Sequence, residues 1–535
     1  MSALFALIGF GGFAARRLLT YLHLFQQEEY DGRRFLAWLA AERAWDRRLS
    51  LILATIFVVQ LLIWGAGLPP GSFAWLAGAA FLAIAASERD PRKTAKKPLV
   101  MTTRAKRIFA IALALMLGAG FVAALTSDLV VAWIVAAQLV PVALVGANLL
   151  LAPFEAWVQA RYWREARAVL ERVNPIVIAV TGSYGKTSVK HVLGHVLETA
   201  GPTLITPGSV NTAMGIARVI RERLGAHHRY FVVEMGAYGI GSIRHLCALT
   251  PPRIGIISAI GKAHYERFKS LDAVAHAKFE LAEAVHDNGG TVIVAADVLQ
   301  FAWPREFAER HQDMMVTVGS DDASAAIKAG LVIRSLHQEA DGIVAEIFWR
   351  GAGYELRAPL FGLHQGGNIA LAFAAACTLG LPPEDVVASL KSTPQIAHRL
   401  EVKHQGDGTI VIDDAYNSNP VGFASALGLL DALARPGGRR ILVTPGMAEL
   451  GSEHEAEHVR IGRLAAVHAD ILVAVAPHRV APLVTAFSEA APERAIVPCA
   501  TFADARTWLD GNLAGNDVVL IENDLPDILE QQLRL

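Results

Sequence analysis

Four long apolar runs lie within the first 152 residues of this chain and constrain everything that follows. Leu51–Leu68 and Phe73–Ser87 form one pair, and Ile108–Thr126 and Leu129–Ala152 form a second. Each run is about 15–24 residues long, against the roughly 20 needed to cross a hydrocarbon core. The pairs turn through "PPGS" and "SD", which carry no lysine or arginine. Their outer flanks are basic. Arg33, Arg34, Arg43, Arg47 and Arg48 precede the first pair, Arg92, Lys93, Lys96, Lys97, Arg104, Lys106 and Arg107 separate the two, and Arg161, Arg164 and Arg167 follow. Positive flanks stay cytoplasmic. The pattern predicts a multi-pass α-helical domain over residues 1–152 in the cytoplasmic (inner) membrane, with the rest of the chain in the cytoplasm.

The opening residues, "MSALFALIGFGGFAARR", offer a fifth span, a re-entrant segment or a signal sequence. A cleavable signal is disfavoured, because the positive charges follow the apolar run. No Asp, Glu or Lys lies inside the four runs, so a transport path has little support and the expected role is an anchor. Phe154–Val173 interleaves aromatic and aliphatic residues with arginines and glutamates, as an interfacial amphipathic helix does. Residues 153–174 are therefore read as a linker.

With 535 residues the chain is too long for one ordinary core. Its mean hydropathy of +0.36 and 19% charged residues reflect the apolar beginning. A net charge of −1 gives no field to attract nucleic acid, and nucleic acid is not an expected partner. Cys247, Cys377 and Cys499 are scattered without CxxC spacing, which excludes a disulfide framework and a zinc site of that type.

Beyond Asn174, strand-like runs alternate with helical periodicity, the pattern of an α/β protein with mostly parallel sheets. "PIVIAV" reads as a buried parallel strand, and Val189, Val192, Leu193, Val196 and Leu197 mark one face of a helix that ends at Gly201-Pro202. Between them lies Gly182, Ser183, Tyr184, Gly185, Lys186, Thr187 and Ser188. Glycines let backbone N–H groups close on phosphate oxygens at a helix N-terminus, Lys186 supplies charge, and the Thr187 hydroxyl suits Mg²⁺. The longer GxxxxGK[ST] loop would need glycine at 180, where Val180 stands.

The shorter TGxxGKT form resembles the ATP loop of the Mur ligase family, the amide-forming ligases of peptidoglycan assembly and their relatives. The likeness runs from about Pro175 to the end and is strongest to the D-alanyl-D-alanine-adding (MurF-type) branch. "YFVVEMGA" ends a strand in Glu234, similar to that branch's "ELGA"; "DDAYNSNP" resembles "DDSYNANP", and "GMAELG" its "GDMAELG". The resemblance implies a central ATP-binding domain with a P-loop over 175–397 and a Rossmann-like C-terminal α/β domain over 398–535. It implies that Thr187 and Glu234 hold Mg²⁺, that His264 helps hold a second Mg²⁺, and that Lys278 is carbamylated and faces the metal. Asn368 (with His364) closes the nucleotide domain, Arg399 marks the hinge, and Asp414 and Asn417 carry over as nucleotide-side residues, with His458 as a further candidate.

Departures from the family pattern sit at Gln365 for the first asparagine of GxHNxxN, at Ala295–Asp297 for "NAD", at Pro445-Gly446 for Gly-Asp, and at "ENDLPD" (Glu522–Asp527) for "KGS". The apolar runs stand where the family has its UDP-sugar domain. The implied activity is ATP-dependent amide formation through an acyl phosphate, with Lys186, Glu234, His264, Lys278 and Arg399 as its catalytic residues. The implied partners are ATP, an amino acid or dipeptide amine, a carboxylate acceptor that is soluble or lipid-linked, and the membrane. A poly-γ-glutamate type of polymerising ligase and a membrane-coupled ATPase are the alternatives.

Overall fold

A computed structural model describes residues 1–41, 44–65, 73–94, 98–126, 130–261, 268, 270–320, 330–339, 341–416, 418–448 and 450–523. Met1–Gln159 form one compact unit and Ala160–Leu525 another.

The first unit is helical. Among the described residues, four helices are long and apolar enough, by length and composition, to cross a membrane: Ser2–Gln27, Arg47–Gly65, Thr103–Leu125 and Val140–Val173. The opening residues are thus part of a 26-residue helix, while the apolar run Phe73–Ser87 makes a helix of 15 residues. The run from Leu129 divides into Val131–Gln138 and Val140–Val173, so the expected linker is the last part of one long helix. An aromatic cluster fills the centre, with Phe10 5.2 Å from Phe81 and 5.5 Å from Trp133 between ring centroids. The outside is apolar as well: Leu51 and Leu125 are each 69% exposed, and Trp64 and Phe121 face outward too.

Small residues let Ser2–Gln27 and Phe73–Ser87 approach closely. A Cβ added at Gly9 would lie 2.5 Å from the Gly78 carbonyl oxygen, and one at Gly78 would lie 2.6 Å from Phe5. Among the polar ties that cross this interior is an ionic one. Arg17 is buried and its guanidinium meets Asp46 at 2.9 Å and Glu88 at 3.6 Å.

The second unit holds two sheets. The larger contains β1 (Ile176–Thr181), β2 (Thr203–Ile205), β3 (Tyr230–Glu234), β4 (Ile254–Ile257), β5 (Thr291–Ala295), β6 (Met315–Ser320), β7 (Leu331–Glu339), β8 (Gly342–Trp349) and β9 (Ala352–Ala358). Their order is β2-β3-β1-β4-β5-β6-β7-β8-β9, parallel from β2 through β7 and antiparallel beyond. Strand β1 is buried between β3 and β4, which explains its unbroken apolar run. Connections from its two sides diverge there, making the C-terminal end of β1 a switch point where ligands gather. The helix Lys186–Glu198 follows and buries all five apolar residues expected of it. The helix His364–Thr378 packs against it.

The smaller sheet contains β10 (Glu401–His404), β11 (Ile410–Asp414), β12 (Arg440–Thr444), β13 (Ile471–Val475), β14 (Ala495–Cys499) and β15 (Val518–Glu522), in the order β10-β11-β15-β12-β13-β14. Only β10 runs antiparallel. All three cysteines are buried and unpaired.

Gly78→Leu and Gly9→Leu should each destabilise the helical unit by about 1–3 kcal/mol through overpacking. Gly118→Ala, whose added Cβ meets nothing within 4 Å, should be neutral or slightly stabilising. Thermal denaturation in detergent, followed by circular dichroism, measures both.

Candidate active site

The loop after β1 is held in place before any ligand arrives. Ser183 N donates to Ala259 O at 2.7 Å, Gly261 N donates to Ser183 Oγ at 2.9 Å, and Ser258 Oγ donates to Tyr184 O. Gly185 caps the helix N-terminus at φ 79°, a left-handed conformation that L side chains resist, and a Cβ there would run into Asn368 Oδ1. Asn368 in turn donates from Nδ2 to Gln365 Oε1 at 2.9 Å, so the departing glutamine is satisfied by the residue expected to close the site. The first-turn N–H groups of Lys186, Thr187 and Ser188 form an anion-binding terminus.

Lys186 Nζ donates to Gly182 O at 2.7 Å and Ser183 O at 3.3 Å. Burial, opposed by Glu234 and assisted by Arg399 and Lys190, pushes its ammonium down to about 8. Lys278 Nζ, entering from the helix Leu271–Asp287, donates to the same Gly182 carbonyl at 2.9 Å. Its amine lies well below the ordinary lysine range because it is buried, with the nearby Lys186 charge adding to the effect.

Glu234 is the hub. It is 1% exposed and ends β3 beside Thr187, whose Oγ1 donates to its Oε2 at 3.0 Å. Lys190 Nζ meets the same oxygen at 3.0 Å, and Asn211 Nδ2 donates to Oε1 at 3.2 Å. Burial pushes the Glu234 carboxyl up, but Lys190, Lys186 and the Lys190 and Thr187 hydrogen bonds outweigh it and hold it below the usual range. Lys190 and Asn211 were not singled out in the sequence. The available signal was the i, i+4 spacing of Lys186 and Lys190, which places both on one side of the helix; Asn211 carried none beyond its glycine-flanked turn.

Arg399 reaches across to this hub, its NH2 donating to Thr187 Oγ1 at 3.4 Å while the guanidinium sits 4.4 Å over the Tyr416 ring. Burial, with Arg399 adding, pushes the His364 imidazole down to about 4, and its Nδ1 lies 3.1 Å from Ser425 Oγ. A cavity of about 710 Å³ is lined by Lys186, Thr187, Glu234, His364, Arg399 and Asp414 together with Ala295–Asp297. His264 and Asn417 lie outside the described residues. His458 is not part of the cavity: it is fully buried, accepts from Met447 N at 3.0 Å and donates to His454 O at 2.7 Å, and so shapes the loop after β12. The group His398, Glu401 and Asp413 has the look of a cation site, but Lys403 Nζ lies 3.0 Å from Glu401 and 2.9 Å from Asp413 and supplies the positive charge itself.

The sequence matches the Mur ligase middle domain over residues 180–376 and the Mur ligase glutamate ligase domain over residues 398–522. The chain belongs to the Mur ligase family. Its similarity within that family is to the UDP-N-acetylmuramoyl-tripeptide–D-alanyl-D-alanine ligases: 35% identity to that of Mycobacterium tuberculosis over 293 residues, covering 54% of this chain and 56% of the relative. The Escherichia coli enzyme is 30% identical over 297 residues, covering 56% and 63%. The chain therefore spans a little over half the length of these curated relatives. The crystal structure of MurF from Acinetobacter baumannii superposes with a TM-score of 0.58 at 26% identity over 68% of this chain and 77% of that one. MurF from Thermotoga maritima in complex with ADP shares the fold, with a TM-score of 0.57 at 22% identity over 70% and 82%.

Lys190→Met should cost about 3–5 kcal/mol, because it leaves the Glu234 carboxylate buried without its ammonium. Adding Glu234→Gln should recover part of the loss in urea denaturation. A second expectation follows from His458. Its imidazole is pushed down to about 4, chiefly by burial, so the unfolded chain takes the proton first and folding stability is lost as pH falls from about 6.5 towards 4. Thermal midpoints across that range should fall less steeply in His458→Gln.

Proposed function

We propose that this chain is a membrane-held, MurF-like ligase that uses ATP to join an amine to a carboxylate acceptor in cell-envelope synthesis. The observation that carries the reading is the convergence of Lys186, Lys278 and the Glu234–Thr187–Lys190 hub on the C-terminal end of β1. Carboxylates are poor electrophiles. Phosphorylation by ATP gives an acyl phosphate with a good leaving group, which the amine attacks to form the amide, releasing phosphate after ADP.

The donor set fits a hard divalent cation: the Thr187 hydroxyl and Glu234 carboxylate are oxygen ligands, and Glu234 has a lone-pair site beyond the three its partners use. Magnesium bound there supplies charge neutralisation on the phosphate oxygens. The protein's own groups do the rest by position. Lys186 and the helix N-terminus hold phosphate, and Arg399 brings positive charge from the C-terminal domain to Thr187. Burial lowers the Lys278 ammonium and so favours its neutral amine, the form that adds to CO₂ with loss of a proton to give an anionic carbamate. That conversion would place an anionic, carboxylate-like group beside the phosphate site, suited to holding the metal.

The named relatives add D-alanyl-D-alanine to a UDP-linked tripeptide, and a dipeptide of that kind is the amine we assign. Residues 1–159, with apolar side chains inside and out, support an acceptor presented at a membrane, and we assign a lipid-linked carboxylate to it. The carbonate-washed membrane fraction should retain the full chain. ADP release by the detergent-solubilised protein, run against lipid-linked and soluble carboxylates paired with amino acids and dipeptides, should require both acceptor and amine; release with neither present supports the ATPase alternative. Lys186→Ala should lower turnover by about 10²–10³-fold. Lys278→Ala should lose activity that a short-chain carboxylate partly restores, and full activity in that variant overturns the carbamate assignment.

A further inference from the structure

The strands β11 and β15 run parallel with Asp414 and Glu522 directly paired at their C-terminal ends. Glu522 stands in the "ENDLPD" stretch where the family resemblance calls for "KGS", so a carboxyl group lies next to Asp414 where a lysine is expected. Both side chains are buried. Ser418 Oγ donates to Glu522 Oε1 at 2.5 Å, while among the described residues Glu522 Oε2 has no donor and no basic group reaches it. The charged groups facing Asp414 are Arg399 from the hinge and Asp413 from its own strand, and Asp413 is already held by His398 and Lys403. Two buried carboxylates in contact cannot both stay ionised without a cation between them.

We propose that Asp414 and Glu522 share one proton, and that Glu522 is a positioning residue which, by holding that proton, keeps Asp414 aimed at the hinge. Asp414 Oδ1 accepts from Leu400 N at 3.2 Å. Leu400 and His398 both sit in the left-handed region, at φ 49° and 59°, and flank Arg399. The strained hinge is therefore tied down by Asp414, and through it Arg399 is delivered to Thr187 at 3.4 Å. Removing the shared proton sets two negative charges against each other and releases the Leu400 tie. Burial pushes Asp414 up to about 6 and, with the Asp414 charge adding, Glu522 well above the carboxylate range, in accord with this geometry.

The role in turnover rests on the ligase reading above; the shared proton does not. Infrared spectra of the nucleotide-free protein at neutral pH should show a protonated carboxyl C=O stretch that is absent in Glu522→Gln. As pH rises through the loss of the shared proton, ADP-forming activity should fall more steeply in the wild type than in Glu522→Gln by one proton, about a tenfold difference per pH unit. Glu522→Lys, which pairs Asp414 directly, should match Glu522→Gln. Should Glu522→Gln fail to fold, Asp414→Asn serves: burial keeps Glu522 protonated, but its proton now faces an amide in place of a carboxylate, and the band shifts. No band in the wild type, or a band unchanged in these variants, overturns the pair. A band with equally steep profiles overturns the positioning role, and failure of every acceptor to support turnover, with the band present, counts against the ligase reading only.

Discussion

A lysine ammonium and a glutamate carboxylate, both withdrawn from water, fasten the phosphate loop to its neighbouring strand. The Lys190–Glu234 pair is costly to bury, and a well-packed apolar pair would serve stability as well or better. What an apolar pair would not do is present an oriented carboxylate to Thr187 and Asn211. The hub has the cost of a functional site: an ion pair placed where charge is needed, tied by hydrogen bonds to Thr187 on the helix after the phosphate loop, to Thr206 just beyond β2 and to Asn211 in the turn before the helix Ala213–Arg223. Removal of Lys190 leaves the Glu234 carboxylate buried without its ammonium.

Much of this was legible in the sequence because it is local. Strand, loop and helix are contiguous from Ile176 to Glu198, and each part carries its own signal: an apolar run, glycines, a 3.6-residue period. Glu234 was legible because it ends a strand of the same type. Lys190 and Asn211 were not, since what makes them part of the site is their approach to Glu234 in three dimensions, and a helix lysine one turn from Lys186 reads equally well as a solvated charge. His458 shows the opposite error: a histidine in a family-like segment proved to be a core residue whose hydrogen bonds are consumed by Met447 N and His454 O.

The helical unit was legible in composition and less so in its boundaries. Hydropathy marks where apolar residues are, but a helix stops where caps, prolines and neighbours stop it. Val140–Val173 therefore passes through Pro153 without a break, although the change in composition there reads as the start of a new element. Ser2–Gln27 contains Arg17, an unlikely residue for a buried helix until Asp46 and Glu88 are seen beside it.

That tie also imposes an order of assembly. Arg17 leaves the ribosome about 70 residues before Glu88 and about 30 before Asp46. During that interval the first helix carries an uncompensated guanidinium and lacks the Gly78 surface into which Gly9 packs. Its final seat exists only once Phe73–Ser87 has been made. The helix Ser2–Gln27 is thus made before the partners that hold it and is locked only after them, so its packing waits on the helix Phe73–Ser87.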